Sequence, residues 1–196
     1  MLKCVLGWCL PLDYQKLESP IPDGAVHVDI DVEILDILSI NDKEFSITMS
    51  MYFSVQWREG RIVTNNTIEP GSWYPISLEF LNEIWIPNVF IYNLKSFQNV
   101  AVLKKLAGVW IIGGTGGTDV FYNQFTTVTF MCPMRYEKFP LDSHICKFRV
   151  GSTNMDINYM RFGETTVGYD DSSRYMHIIQ PNMNCLLQNY SVRICS

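Results

Sequence analysis

Clusters of basic residues and long hydrophobic runs are both missing from this 196-residue chain. Its 15 Lys and Arg are outnumbered by 20 Asp and Glu, and the formal charge at pH 7 is −5. A nucleic-acid partner is therefore not expected, since phosphate backbones are bound through basic patches. The apolar runs are short, as at residues 109–112, whereas about 20 apolar residues are needed to cross a bilayer. No segment of the sequence is predicted to span a membrane.

Motifs of catalysis and metal binding are absent as well. The chain has no Gly-x-Ser-x-Gly, the signature of a nucleophile elbow. The glycine run at residues 113–118 lacks the Gly-Lys-Ser/Thr of a phosphate-binding loop, and we interpret it as a hairpin turn. Asp170 and Asp171 lie in a loop rich in Gly and Ser, where we expect them to be solvated. The sequence therefore predicts no enzyme activity, no cofactor and no metal site.

The composition is that of a globular protein. Hydrophobic residues make up 47% of the chain and charged residues 18%, which excludes a disordered tail or a coiled coil. The length is close to that of one all-β sandwich domain. Because no internal repeat or shift in composition marks a boundary, we predict a single domain over residues 1–196.

Six cysteines are present, and they occur as three pairs close in sequence. Such pairs suit an oxidising compartment, where structural disulfides form. Zinc is the competing interpretation, but there is no Cys-x-x-Cys and the three histidines are scattered, so we favour disulfides. The sequons that begin at Asn65 and Asn189 fit a secreted, glycosylated chain. The pairs are Cys4 with Cys9, Cys132 with Cys146, and Cys185 with Cys195.

Hydrophobic residues recur with a period of two, which is typical of strands with one dry and one wet face. Residues 26–34 alternate in this way, residues 45–57 do so more strictly, and residues 39–43 between them are a turn by composition. A helical period occurs only near residues 12–17, ahead of two prolines. This spacing predicts a two-sheet sandwich or a barrel. Further strands are predicted at residues 76–84, 88–92, 98–104, 108–113, 119–132, 145–151, 156–162, 174–184 and 189–195, with turns at 65–66, 69–71, 113–119 and 163–173.

Tyr52 breaks the alternation, because it stands among the polar residues of the 45–57 strand. Met51 and Phe53 on either side of it belong to the dry face. An aromatic ring on the wet face covers a neighbouring element, a subunit interface or a ligand. The three interpretations stay open at this point, and a packed interface is the simplest of them.

The segment from Cys132 to Cys146 is the strongest signal in the sequence. A disulfide between these residues would close a fifteen-residue loop and stabilise the fold by about 3 kcal/mol in the chain-entropy model. It would also hold the apolar tip Phe139-Pro140-Leu141 in a fixed shape in water. A stapled surface loop is the simpler interpretation, but an exposed apolar tip indicates a partner surface.

This segment resembles the signature of the Cys-loop receptors, the pentameric ligand-gated ion channels. That signature is two cysteines separated by thirteen residues, with Phe/Tyr-Pro-x-Asp near the middle. The run Trp-Arg-Glu-Gly-Arg-Ile at residues 57–62 resembles the family's Trp-x-Asp-x-Arg-Leu motif, with Glu59 in place of Asp. Trp-Ile-Pro-Asn at residues 85–88 resembles Trp-x-Pro-Asp, with Asn88 in place of Asp. The match runs from about residue 12 to the C-terminus.

The resemblance implies an all-β fold, a ten-stranded immunoglobulin-like β-sandwich over residues 25–196. A short N-terminal helix and linker over residues 1–24 would precede it. The implied assembly is a homopentameric ring, with identical or homologous subunits as partners. The implied location is the extracellular side of the cell membrane, where the chain would be the ligand-binding part of a longer receptor and would contact that receptor's own transmembrane domain.

The family binds its small-molecule agonist between adjacent subunits, in a box of aromatic side chains that suits cationic amines. Thr153 stands at the family's position seven residues after Cys146, and Tyr190 is the aromatic candidate from the hairpin that caps the pocket. That hairpin is short here, which resembles orphan or zinc-activated members of the family. The implied ligand contacts are Phe90, Tyr92, Thr153 and Tyr190 on the principal face, and Tyr52, Phe121 and Asn123 on the complementary face.

The resemblance also implies a gating interface at the lower end of the domain. In the family, the first strand turn and the tip of the Cys-loop rest on the membrane domain and transmit the agonist signal to the pore. The residues at these positions are Asn41, Asp42 and Lys43, together with Phe139, Pro140, Leu141 and Asp142.

Two other functions remain open on the sequence alone. One is a soluble secreted binding protein of the same fold, similar to acetylcholine-binding protein, without a pore. The other is an unrelated secreted β-sandwich used for adhesion or carbohydrate binding. The exposed apolar tip favours the channel, because a soluble homologue gains nothing from it.

Overall fold

The computed structural model describes residues 2–5, 8–64, 69–101, 107–114, 117–137, 143–169 and 191–195. These residues form fourteen β-strands and one short 3₁₀ helix, Leu78–Asn82. The strands are β1 Leu2–Val5, β2 Trp8–Pro11, β3 Val26–Asn41, β4 Ser46–Arg58, β5 Val63–Thr64, β6 Trp73–Ile76, β7 Phe90–Ile91, β8 Leu94–Asn99, β9 Ala107–Gly114, β10 Gly117–Met131, β11 Ser143–Lys147, β12 Val150–Gly151, β13 Met160–Tyr169 and β14 Ser191–Cys195. The prediction of a mostly β-strand domain is confirmed.

A seven-stranded sheet forms the body of the domain. Its order is β13-β3-β4-β10-β9-β6, and β8 pairs with β10 beside this path. All neighbours are antiparallel except β13, which runs parallel to β3. β9 and β10 pair around residues 115–116, in agreement with the predicted hairpin. Smaller sheets are formed by β1-β2-β5, by β7 with β12 and by β11 with β14.

The period-two alternation predicted for β3 and β4 is confirmed by their burial. Val28, Ile30 and Val32 of β3 are buried, as are Met49 and Met51 of β4, and they join one hydrophobic core. Burying a side chain of this size stabilises the fold by roughly 1.5–3 kcal/mol. The turn between the two strands begins later than predicted, since β3 continues to Asn41.

The Cys132–Cys146 disulfide is formed, with 4.9 Å between the two Cα atoms. It joins the end of β10 to β11, which in turn pairs with β14. Cys9 is also disulfide-bonded, and in the β1–β2 hairpin its backbone lies opposite that of Cys4. The favoured interpretation of the cysteines as structural disulfides is confirmed for Cys9, Cys132 and Cys146.

The predicted N-terminal helix is wrong. Residues 12–24 form turns, with hydrogen bonds from the Tyr14 N–H to the Pro11 carbonyl at 3.0 Å and from the Glu18 N–H to the Gln15 carbonyl at 3.2 Å. The described residues contain no α-helix. The apolar period covers only about six residues between prolines, whereas isolated helices shorter than about 12–15 residues are marginal.

Two further element predictions are wrong. Residues 76–84 hold the 3₁₀ helix instead of a strand, because the Ser77 side chain accepts a hydrogen bond from the Glu79 N–H and begins a turn. The predicted turn at residues 163–173 overlaps strand β13. Gly163 lies there because β13 comes close to β3, and a Cβ at this position would stand 2.2 Å from Asp29 Oδ1. The predicted strand at 174–184 lies outside the described residues.

Candidate functional site

A buried charged network fixes the segment that precedes β7. The Glu59 side chain is fully buried, and its carboxylate accepts hydrogen bonds from Arg61 Nε at 2.8 Å and Arg61 Nη2 at 2.7 Å. The Tyr14 hydroxyl donates to Glu59 Oε2 at 2.9 Å and accepts from the Trp85 N–H at 2.8 Å. Burial, aided by the neighbouring Glu59 carboxylate, raises the pKa of Tyr14 well above its ordinary value. The run at residues 57–62 therefore joins the N-terminal turns to Trp85, which precedes β7.

The predicted principal-face residues Phe90, Tyr92 and Thr153 come together at the β7–β12 edge. Phe90 pairs with Gly151 in the strand register, and the rings of Phe90 and Tyr92 meet edge to face with centroids 5.5 Å apart. Asn88 Oδ1 accepts hydrogen bonds from the Thr153 N–H at 3.2 Å and from Thr153 Oγ1 at 3.0 Å. We call Phe90, Tyr92 and Thr153 the principal cluster.

Gly151 is needed for this packing. A Cβ at this position would lie 2.3 Å from Tyr92 Cε2, well inside van der Waals contact. The Tyr92 hydroxyl donates to the Ser152 carbonyl at 3.3 Å, and the Tyr92 N–H donates to the Arg149 carbonyl at 3.0 Å. The Tyr92 ring therefore packs closely against the backbone of β12 at Gly151.

The predicted complementary-face residues lie on the other side of the main sheet from the core. Tyr52 is 37% exposed, and its ring is 5.3 Å from that of Phe125, its cross-strand partner. Asn123 lies opposite Ser54, and Phe121 opposite Gln56, in the same pairing of β10 with β4. The prediction that Tyr52 sits on the face opposite Met51 and Phe53 is confirmed.

Two tryptophans extend this face into a larger aromatic patch. The Phe121 ring lies 5.0 Å from Trp73 of β6 and 5.8 Å from Trp110 of β9. Trp73 is 52% exposed. We call Tyr52, Trp73, Trp110, Phe121 and Phe125 the aromatic surface.

The role of Trp110 and Phe125 in this surface was not predicted from the sequence. The sequence offers little signal for either residue. Trp110 stands in an uninterrupted apolar run with Val109 and Ile111, and Phe125 stands between Gln124 and Thr126, which are polar although the fold buries them. Trp73 is the first residue of β6, a strand that contains a proline and is exposed along most of its length, so no alternation marks it either.

The other predicted site residues are only partly described. Asn41 and Asp42 shape the turn after β3, where Asn41 Oδ1 accepts from the Glu44 N–H at 3.1 Å and Asp42 Oδ1 from the Lys43 N–H at 2.9 Å. Residues that lie outside the described part are Asn65, Phe139, Pro140, Leu141, Asp142, Asn189 and Tyr190.

The described residues contain no group of three or more His, Cys, Asp or Glu that could hold a metal ion. None of their helices is both long enough and apolar enough to cross a membrane.

Comparison with known proteins identifies the family. Residues 9–182 match the model of the neurotransmitter-gated ion-channel ligand binding domain. The chain belongs to this family. The match covers most of the sequence, so the resemblance predicted from the Cys132–Cys146 segment is confirmed at family level, and an unrelated adhesion or carbohydrate-binding sandwich is excluded. This is a family of channel ligand-binding domains and not of enzymes.

Curated relatives of this ligand-binding domain are distant. The human gamma-aminobutyric acid receptor subunit rho-2 is 26% identical over 152 residues, which cover 75% of the chain and 31% of the relative. A glutamate-gated chloride channel of Drosophila melanogaster is 28% identical over 71% of the chain and 30% of its own length. The gamma-aminobutyric acid receptor subunit beta of Caenorhabditis elegans is 30% identical over 73% of the chain and 26% of its length. The chain thus spans less than a third of these relatives.

Proposed function

We propose that this domain is the extracellular ligand-recognition and gating module of a pentameric ligand-gated ion channel. Family membership supports the channel assignment. Identical or homologous subunits would form the ring, and the remainder of the receptor would supply the membrane pore. The sequons at Asn65 and Asn189 would then face the extracellular space, where glycosylation takes place.

The aromatic surface is the observation that carries the proposal. It is a set of large rings on the side of the sheet that faces away from the core, and an exposed apolar patch of this kind marks an interaction site. The principal cluster lies on a different sheet, formed by β7 and β12. In the proposed ring, the principal cluster of one subunit faces Tyr52, Phe121 and Asn123 of the next, and the agonist lies between them.

The agonist is proposed to be a small amino acid with a free ammonium group. The faces of Tyr52, Phe90 and Tyr92 attract such a cation, while the side-chain amide of Asn123 offers a hydrogen bond to a carboxylate. The N–H and hydroxyl of Thr153 already donate to Asn88, so Thr153 contributes to the wall of the site. The relatives named after gamma-aminobutyric acid and glutamate point to the same ligand class. A zinc agonist has less support, because no metal-binding group occurs in the described part of the chain.

The gating interface is proposed to act through a backbone link between its two parts. The Cys132 N–H donates a hydrogen bond to the Phe45 carbonyl at 2.7 Å, so the base of the Cys-loop is tied to the turn after β3. Glu44 of that turn also forms an ion pair with Lys95 of β8. A movement of the turn after β3 would therefore be transmitted first to the Cys-loop, and a movement of the Cys-loop first to the turn. The membrane domain would receive the movement afterwards.

Ligand binding to the purified chain tests this function. Isothermal titration calorimetry with γ-aminobutyric acid and with glutamate should show saturable binding of at least one of them. Tyr52→Ala should weaken that binding by about tenfold, because a hot-spot aromatic in a cation–π contact is lost. Tyr159→Ala is the matched control, since Tyr159 is exposed but is not a predicted contact, and it should bind like the unmodified chain.

Light scattering of the same samples tests the assembly. A pentamer of the 22.6 kDa chain has a mass near 113 kDa. Equal binding by the Tyr52→Ala and Tyr159→Ala variants, or a ligand bound by monomers, would contradict the proposal. A pore-free binding protein of the same fold would bind the ligand yet carry no current when the full-length transcript is expressed in oocytes.

A further inference from the structure

Asn93 follows Tyr92 of the principal cluster directly in the chain, and its partly buried side chain contacts three other segments. Asn93 Nδ2 donates hydrogen bonds to the Met131 carbonyl at 3.0 Å and to the Lys147 carbonyl at 2.7 Å. Asn93 Oδ1 accepts one from the Arg149 N–H at 3.3 Å. A side-chain amide has two N–H donors and one carbonyl oxygen, so these three bonds occupy the whole group and fix its orientation.

Two of these hydrogen bonds lie at the two ends of the Cys-loop. Met131 immediately precedes Cys132, and Lys147 immediately follows Cys146. The disulfide therefore joins the two ends of the loop to each other, and the side chain of Asn93 joins both of them to the principal cluster.

One peptide group extends this contact to the turn after β3. The Met131 carbonyl and the Cys132 N–H belong to the same peptide group, which is planar and rigid. The carbonyl accepts from Asn93 Nδ2 at 3.0 Å, and the N–H donates to the Phe45 carbonyl at 2.7 Å. A rotation of this group changes both hydrogen bonds together, and hydrogen bonds in such a chain strengthen one another. Asn93 is thus connected to both parts of the gating interface.

Tyr92 and Asn93 are also tied to one residue of the neighbouring segment. The Tyr92 N–H donates to the Arg149 carbonyl at 3.0 Å, and the Arg149 N–H donates to Asn93 Oδ1. With the peptide bond between Tyr92 and Asn93, these contacts form a small closed unit. A displacement of Tyr92 therefore moves the Asn93 side chain with it.

We propose that Asn93 is a positioning residue for gating, which transmits a displacement of Tyr92 to both ends of the Cys-loop and to the turn after β3. The inference rests on the proposed function, since it takes Tyr92 as an agonist contact and the two connected elements as the gating interface. Amide chemistry is required at this position, because a carboxylate would keep the acceptor for Arg149 and lose both donors.

A substitution that displaces Tyr92 provides the first measurement. In Gly151→Ala, the added Cβ would lie 2.3 Å from Tyr92 Cε2, so the ring has to move. Gly60→Ala is the matched control, since a Cβ at that position meets no atom within 4 Å. Hydrogen exchange of the ¹⁵N-labelled chain is followed by NMR. Gly151→Ala should change the exchange rate of the Cys132 amide by about fivefold relative to amides in the middle of β4, the effect of one weakened hydrogen bond. Gly60→Ala should leave this rate unchanged.

The same displacement in a second background tests the role of Asn93. In Asn93→Asp, Gly151→Ala should change the Cys132 rate by less than about twofold, because the side-chain link is broken. A backbone bond from the Met131 N–H to the Asn93 carbonyl at 2.8 Å remains, so a small response persists. Asn158→Asp is the control for the added charge, since Asn158 is exposed, and it should leave the fivefold response intact.

Further variants keep the test valid if one of these does not fold. Asn93→Ala breaks the link without adding a charge, and Tyr92→Leu replaces Gly151→Ala as the displacement. An unchanged Cys132 amide in the folded displacement variant, or a full response in the Asn93 variants, would overturn the proposal. The measurement uses no agonist, so a failure of the chain to bind γ-aminobutyric acid or glutamate would contradict the proposed function alone.

Discussion

At the scale of single residues, Glu59 holds together the network that joins the N-terminal turns to the segment before β7. Its buried carboxylate forms a bidentate ion pair with Arg61 and accepts a hydrogen bond from the hydroxyl of Tyr14. Removing one partner of a buried ion pair is costly, because the remaining charge stays desolvated without compensation. Exposed pairs behave differently, since water replaces the lost partner.

The two kinds of ion pair can be compared within this chain. Glu59→Gln should lower the free energy of unfolding by about 3 kcal/mol, as expected for a broken buried pair. Glu44→Gln, which breaks the exposed pair with Lys95, should lower it by less than about 1 kcal/mol. Urea unfolding followed by circular dichroism measures both. Equal effects of the two variants would show that the Glu59 network does not hold the fold.

Only half of this network is visible in the sequence. Glu59 and Arg61 stand two residues apart in a motif that the sequence makes visible. The contact of Tyr14 with Glu59 spans 45 residues and that with Trp85 spans 71. No local period encodes such distances, so these partners become visible only in the folded chain.

At the scale of elements, Asn88 positions the β7–β12 edge. Its Oδ1 accepts three hydrogen bonds, from the Ser152 hydroxyl and from the N–H and hydroxyl of Thr153. The family pattern has Asp at this position, and a carboxylate can accept the same three bonds. The Asn88 side chain thus sets where Thr153 lies relative to Phe90 and Tyr92.

Two substitutions of Asn88 distinguish the contribution of its hydrogen bonds from the contribution of its packing. Asn88→Leu removes all three bonds and should lower the free energy of unfolding by about 2 kcal/mol. Asn88→Asp keeps the acceptor oxygens and should have a much smaller effect. Hydrogen exchange of the Thr153 amide should accelerate only in Asn88→Leu. Similar exchange in both variants would mean that Asn88 does not hold this segment.

The elements themselves were predictable where alternation was long and strict. β3 and β4 follow from their period of two, because each has one side in the core and a strand period leaves no other arrangement. β10 was predicted at residues 119–132 from the spacing of strands between turns, and it is formed at Gly117–Met131. The N-terminal helix failed because a short apolar period between prolines cannot sustain one. Part of β13 was predicted as a turn because glycine is common in turns. Gly163 lies instead in a strand that packs closely on β3.

The sequence pattern points to individual candidate site residues but not to the surface that they form. Tyr52 was visible in the sequence as a ring among polar neighbours. Its pairing with Phe125, and the contact of Phe121 with Trp73 and Trp110, depend on how four strands align. A shift of one residue in any of these strands would turn its ring to the other side of the sheet, and sequence pattern alone does not determine the register.

At the scale of the whole molecule, the central claim is that the agonist binds between two copies of the chain. The principal cluster and the aromatic surface belong to different sheets. In a closed ring, each interface is head to tail, so one copy contributes its first face and the next contributes its second. Two variants damaged on different faces can therefore complement each other.

Mixing such variants is the most direct measurement. Tyr52→Ala damages the complementary face and Tyr92→Ala the principal face, so neither variant alone should bind the agonist with the normal affinity. When the two are co-expressed in equal amounts, about a quarter of the interfaces should combine two intact faces, and calorimetry should recover about that fraction of normal-affinity sites. Recovery of no such sites in mixed rings would contradict a binding site between subunits.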